Sequence, residues 1–163
     1  ILGNVLLDMG GSVLTRGTQN KRSVFKIDNE KKIAPIICYE SVYGEYVTQY
    51  VRNGANILAI ITNDGWWSES QGYKQHLSYA RIRAIETRRN IVRSANTGSS
   101  AIINFNGELI EKLDYNVKGI INAKVATINK LTFYVKYGDY IFRISLFFFI
   151  IILLFSLGKK KNY

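Results

Sequence analysis

The chain has 163 residues, 47% of them hydrophobic, a formal net charge of +10, and a single cysteine, histidine and proline. That length suffices for one domain core with an appendage, and the absence of repeats or low-complexity tracts excludes a linker or tail. One cysteine excludes an internal disulfide. Arg143 and Lys159 to Lys161 carry four of the positive charges. The other basic residues are scattered, apart from Arg81, Arg83, Arg88, Arg89 and Arg93. A nucleic-acid surface is therefore weakly signalled, anionic lipid headgroups account for the charge at least as well, and no nucleic-acid partner is expected.

The first thirty residues are glycine-rich, with a strand-like piece over Ser23 to Ile27. A domain rarely opens on Ile-Leu without a methionine, so Ile1 is expected to lie inside a longer protein. Asp28-Asn29-Glu30-Lys31 reads as a hairpin turn into a strand over Lys32 to Ile37, whose apolar residues run together as in buried strands. Val42, Tyr46, Val47, Tyr50 and Val51 recur at helical spacing over residues 43 to 53, and Gly54 is placed to stop that helix. A second buried strand is expected over Ile57 to Thr62, broken by Asn63-Asp64-Gly65. A helix over Tyr73 to Arg89 would carry Leu77, Ala80, Ala84 and Ile85 on one face and its arginines on the other. Strands are expected near Ile91 to Ala95, Ser99 to Asn104 and Leu109 to Leu113, the last two joined at Asn106-Gly107, a hairpin dipeptide. A further strand is expected over Gly119 to Ile128. This alternation predicts a layered α/β sandwich with a mixed sheet.

Residues 141 to 157 read IFRISLFFFIIILLFSL. As a helix this run spans about 26 Å at 1.5 Å per residue, close to the roughly 30 Å hydrocarbon core of a bilayer. Arg143 can snorkel, and Tyr137 and Tyr140 can sit at the interface. The alternative, a buried core helix, conflicts with the lack of any polar face. The segment is read as a transmembrane anchor over residues 140 to 158, following a domain over 1 to 139 and preceding a basic cytoplasmic tail over 159 to 163. The lysines after it favour that orientation, with the globular part outside the cytoplasm.

Cys38 ends the first buried strand, where open α/β sheets expose their chemistry, and is followed by Tyr39 and Glu40. A thiol can attack a carbonyl carbon to give a thioester, provided that a base lies near. A lone cysteine is more often a buried structural residue. His76 could act as the base if it reached Cys38, but nothing in the spacing demands this, and the reading favoured is a structural histidine on a helix face.

Cys38-Tyr39-Glu40, then residues 62 to 67 (TNDGWW), Gln75-His76, residues 80 to 86 (ARIRAIE) and residues 93 to 98 (RSANTG) follow one another in an order and spacing that resemble the nitrilase superfamily of carbon–nitrogen hydrolases. With the terminal apolar run, they are most similar to its membrane branch, the apolipoprotein N-acyltransferases, from about Ile33 onward. The resemblance implies a nitrilase-like αββα sandwich, present in part, followed by one C-terminal transmembrane helix. It implies that Cys38 is the nucleophile, taking an acyl chain from a phospholipid donor and passing it to the N-terminal amine of a diacylated apolipoprotein acceptor. Tyr39 would offer its backbone N–H to the oxyanion, and Glu40 would be the supporting carboxylate, although an acid favourable to a helix N-terminus would look the same. Trp66 and Trp67 would line the lipid entrance, or else pack as buried bulk. Glu86 is expected to pair with a neighbouring arginine, and Asn96-Thr97-Gly98 to shape a loop beside the site. Neither a cofactor nor a metal is implied.

The superfamily also uses a glutamate base and an oxyanion-stabilising lysine that precede the cysteine. Lys21, Lys26 and Glu30 fall in no matching pattern, so these 163 residues alone are expected to be inactive. The expected setting is a bacterial inner membrane, with the catalytic part periplasmic. Two alternatives stay open, a membrane-tethered carbon–nitrogen hydrolase acting on an amide and a non-catalytic membrane-anchored module.

Overall fold

A computed structural model describes residues 19–159. Among these, six strands form one mixed sheet in chain order. They are β1 (Phe25–Lys26), β2 (Lys32–Ile37), β3 (Ile57–Thr62), β4 (Asn90–Ala95), β5 (Ala101–Ile103) and β6 (Leu109–Lys112). β2, β3 and β4 are parallel, while β1, β5 and β6 pair antiparallel at the two edges. The crossovers are helices α1 (Gly44–Arg52) and α2 (Gln71–Thr87). Gly107, at φ +81°, supplies the left-handed residue of the β5–β6 turn, as its pairing with Asn106 predicted.

The side-chain period of two divides the sheet into unlike faces. Ala34 and Ile36 on β2, Leu58 and Ile60 on β3, Ile91 on β4 and Ile103 on β5 are fully buried against Val47 and Val51 of α1 and Ala80 and Ala84 of α2. On the opposite face Ile37 and Ile61 are about half exposed, at 52% and 54%, and Val92 is partly open. The described residues thus build one β layer and one α layer of a nitrilase-like sandwich, with an apolar sheet face turned outward.

Two expectations are revised. Residues 119 to 128 form no strand: they run irregularly along the sheet, with the Asn90 side chain bonded to the Ala126 carbonyl. The arginines of α2 do not share a solvent face: Arg83 is buried, ion-paired with Glu86 and donating to the Val42 carbonyl, whereas Ile85 is exposed. Nor do the five arginines form a basic surface, because Arg89 and Arg93 are buried as well. Arg89 donates to the carbonyls of Ala55, Thr87 and Lys130, and burial lowers its guanidinium to about 10.

After the short helix α3 (Phe133–Tyr137) comes α4 (Tyr140–Lys159), apolar enough and long enough to cross a membrane and nowhere buried against the domain. Phe133, Tyr137 and Tyr140 stack at its start, with ring centroids 4.5 and 5.1 Å apart. Glu45, in the first turn of α1, accepts from the Asp139 backbone N–H at 2.8 Å and pairs with Arg143. The arginine expected to snorkel is therefore tied to the domain.

Candidate active site

Cys38 follows β2 directly and adopts φ +52°, a left-handed conformation that costs a residue with a Cβ about 1 to 3 kcal/mol unless its surroundings enforce it. What enforces it is a tight 3₁₀ turn over Cys38–Val42. Glu40 Oε2 accepts from the Ile37 backbone N–H at 2.8 Å, its other oxygen accepts from the Tyr46 hydroxyl, and Ser41 Oγ donates to the Cys38 carbonyl at 2.9 Å. Glu40 thus clamps both sides of the turn that presents the thiol. Tyr39 is the second residue of this turn, where backbone N–H groups have no partner within the turn.

The register decides what lies beside the sulfur. Ile36 pairs with Ile60 and Ile37 with Ile61, so one residue further on Cys38 meets Thr62 on the helix-facing side. Thr62 Oγ1 lies 3.2 Å from Cys38 Sγ and 3.0 Å from Asp64 Oδ1. Asp64 has no solvent exposure. Its Oδ1 also accepts from His76 Nδ1 at 2.8 Å, and its Oδ2 from Arg93 at 2.7 Å. Burial alone would raise the Asp64 carboxyl, but the His76 hydrogen bond and the Arg93 charge overcome it and hold the group below its ordinary value. Arg93 is anchored in turn on the Ser99 carbonyl, and Gly98, at φ +126°, leaves room for the Asp64 carboxylate.

His76 is buried, with Nε2 3.0 Å from Ser41 Oγ and 3.2 Å from the Cys38 carbonyl oxygen. It supports the backbone of the cysteine and not its sulfur, in keeping with a structural histidine. The two tryptophans part company. Trp66 is 66% exposed, whereas Trp67 packs on Gly72, His76 and Tyr39. Tyr39 and Tyr43, with ring centroids 6.1 Å apart, are exposed on the cysteine's turn. Asn96-Thr97-Gly98 borders the site as expected, with the Thr97 carbonyl accepting from the Asp64 N–H at 2.7 Å.

Sequence reasoning missed Thr62, Ser41, Asp64 and Arg93 as parts of one site. Asp64 was read as a strand breaker, and Arg93 as one of a basic group. Thr62 and Arg93, polar residues at inward positions near the C-terminal ends of β3 and β4, were the available signal. Among the described residues, no group of three or more His, Cys, Asp or Glu side chains is placed to hold a metal ion.

A parallel βαβαβ core thus presents the chain's one thiol in a left-handed turn at the strand ends. The carbon–nitrogen hydrolase family model matches residues 5–129, and the chain belongs to that family. The fold is similar to that of a carbon–nitrogen hydrolase from Helicobacter pylori G27 (TM-score 0.55, 16% identity, covering 63% of this chain and 43% of that one). It is also similar to that of a cysteine-to-alanine mutant of the Nesterenkonia AN1 amidase from the nitrilase superfamily (TM-score 0.51, 16% identity, 63% and 40%).

Among curated proteins, the chain is 39% identical over 134 residues to the apolipoprotein N-acyltransferase of Wigglesworthia glossinidia brevipalpis, covering 82% of this chain and 25% of that protein. It is 34% identical over 136 residues to the protein of the same name from Haemophilus ducreyi, covering 83% and 27%. For that of Thermotoga maritima the identity is 32% over 123 residues, covering 76% and 24%. The chain spans about a quarter of the length of these relatives.

Proposed function

We propose that this chain is the nucleophile-bearing part of an apolipoprotein N-acyltransferase, in which Cys38 carries the acyl group. The observation that carries the reading is Cys38 held left-handed at a parallel strand end, beside the exposed Tyr39 and Tyr43, in a chain whose curated relatives bear that name. The Cys38 thiolate attacks an ester carbonyl of a phospholipid. The acyl carbon–oxygen bond breaks, and the lysophospholipid alkoxide leaves with a proton. The free amine of a diacylated lipoprotein then attacks the thioester, its proton passes to the glutamate base, the carbon–sulfur bond breaks, and the amide forms as the thiolate returns. The Tyr39 N–H faces the tetrahedral oxyanion, Glu40 fixes the turn, and Trp66 with Trp67 bounds the lipid side of the site. A glutamate base and an oxyanion lysine complete the chemistry, and both are assigned outside the residues that surround Cys38 here.

In this reading residues 1 to 139 are the C-terminal part of the catalytic domain, residues 140 to 158 span a bacterial inner membrane, and residues 159 to 163 form a cytoplasmic tail. The domain then lies on the periplasmic side. The tie between Glu45 and Arg143 would hold the cysteine's turn near the lipid surface, since Glu45 follows that turn by three residues. The test is to reconstitute the intact protein in vesicles whose phospholipid carries a labelled acyl chain. Hydroxylamine-sensitive label should appear on Cys38, should be absent from C38A, and should move to the amine of an added diacylated lipopeptide. Release of the label only as free fatty acid would point instead to hydrolysis, and no label on Cys38 would overturn the reading. The isolated 163 residues are expected to carry out no transfer.

A further inference from the structure

We propose that Thr62 is the hydroxyl that stabilises the Cys38 thiolate, turning its single proton between the sulfur and Asp64. The proposal rests on the reading of Cys38 as nucleophile and adds a residue that touches the reacting atom.

Among the described residues, Thr62 Oγ1 is the hydrogen-bond partner of Cys38 Sγ, at 3.2 Å, and the same oxygen lies 3.0 Å from Asp64 Oδ1. A hydroxyl carries one proton, so it can donate to only one of these acceptors at a time. With a protonated or acylated sulfur, which is a poor acceptor, the proton belongs to Asp64. When the thiolate forms, or when the carbon–sulfur bond of a thioester breaks and its electron pair returns to sulfur, the proton turns to the charge. A hydrogen bond to a charged group is stronger than one between neutral groups.

The turn leaves no orphan behind. Asp64 Oδ1 keeps its hydrogen bond from His76, and Oδ2 keeps that from Arg93. Arg93 also offsets the Asp64 charge, which would otherwise oppose a thiolate close by. The sulfur cannot drift from the hydroxyl, because Ser41 holds the Cys38 carbonyl from behind and Glu40 holds the amide of Ile37 before it. Asp64, His76 and Arg93 are therefore positioning residues, and Thr62 is the group in contact with sulfur.

The test follows alkylation of Cys38 by iodoacetamide against pH in the intact detergent-solubilised protein, read by mass spectrometry. Thr62→Val and Thr62→Ala should each move the midpoint of the rate profile upward by about one pH unit, and Thr62→Ser should return it close to that of the unaltered protein. The alanine variant serves if valine prevents folding. Profiles for both variants that superimpose on the unaltered one would overturn the proposal, as would a serine variant that behaves like valine. An unshifted midpoint with normal acyl labelling of Cys38 would defeat the Thr62 assignment alone. A shifted midpoint without labelling from phospholipid would defeat the acyltransferase reading alone.

Discussion

His76 turns its Nε2 toward the carbonyl oxygen of Cys38, 3.2 Å away, while its Nδ1 is bound to Asp64. The chain's one histidine therefore lies against the cysteine's backbone and not its sulfur. Substituting it by asparagine should destabilise the protein by about 1 to 3 kcal/mol, because buried partners lose their hydrogen bonds. The alkylation rate of Cys38 at neutral pH should fall by less than about tenfold, since this histidine holds no proton on the sulfur. Chemical denaturation and alkylation kinetics on the same variant check both halves.

The pair of Asp64 and Arg93 has no exposed side-chain area. Breaking it by Asp64→Asn leaves a buried guanidinium without its counter-charge, and the expected loss is about 3 to 5 kcal/mol in denaturant unfolding.

The same pair predicts the response to acid. The folded state holds the Asp64 carboxyl below its ordinary value, so the unfolded chain binds its proton first as pH falls. The stabilisation is complete above the ordinary carboxylate value, and it is lost as pH falls through that value toward the lowered, folded one. Thermal melting followed from pH 6 downward should show a decline that is shallower in Asp64→Asn, where this contribution is gone.

Gly98 sits at φ +126°, and a Cβ there would collide with the Asp64 carboxylate. Gly98→Ala should cost at least about 2 kcal/mol through backbone strain and displacement of Asp64. It should also disturb the pH profile of Cys38 alkylation, whereas Gly158→Ala, with open space around it, should change neither.

Helix α4 carries its apolar side chains exposed along its length. An aspartate in place of Ile150, near its middle, should disfavour membrane integration by about 2.5 to 3.5 kcal/mol. With residues 140 to 158 fused to a soluble reporter, carbonate extraction of membranes should release the Ile150→Asp variant and retain the unaltered segment.

The sequence by itself determined most of the elements and the address of the thiol. Apolar runs set β2 and β3, helical spacing set α1 and α2, and Asn106-Gly107 set a hairpin, because these signals are local and each is read from neighbours a few positions apart. It also pointed to Cys38-Tyr39-Glu40, since a thiol directly after a buried strand stands out without any structure. Residues 119 to 128 failed the same test: their β-branched composition suits a strand, but they run irregularly across the sheet. What only the tertiary structure decided is what surrounds the sulfur. Thr62, Asp64, His76 and Arg93 lie 24 or more positions from Cys38, and they meet it because the parallel register sets β2 against β3 and β3 against β4 while α2 closes over the strand ends. No local pattern marks an arginine as buried. Arg93 is buried because an inward position of β4 faces Asp64, and that pairing exists only once the three strands are side by side.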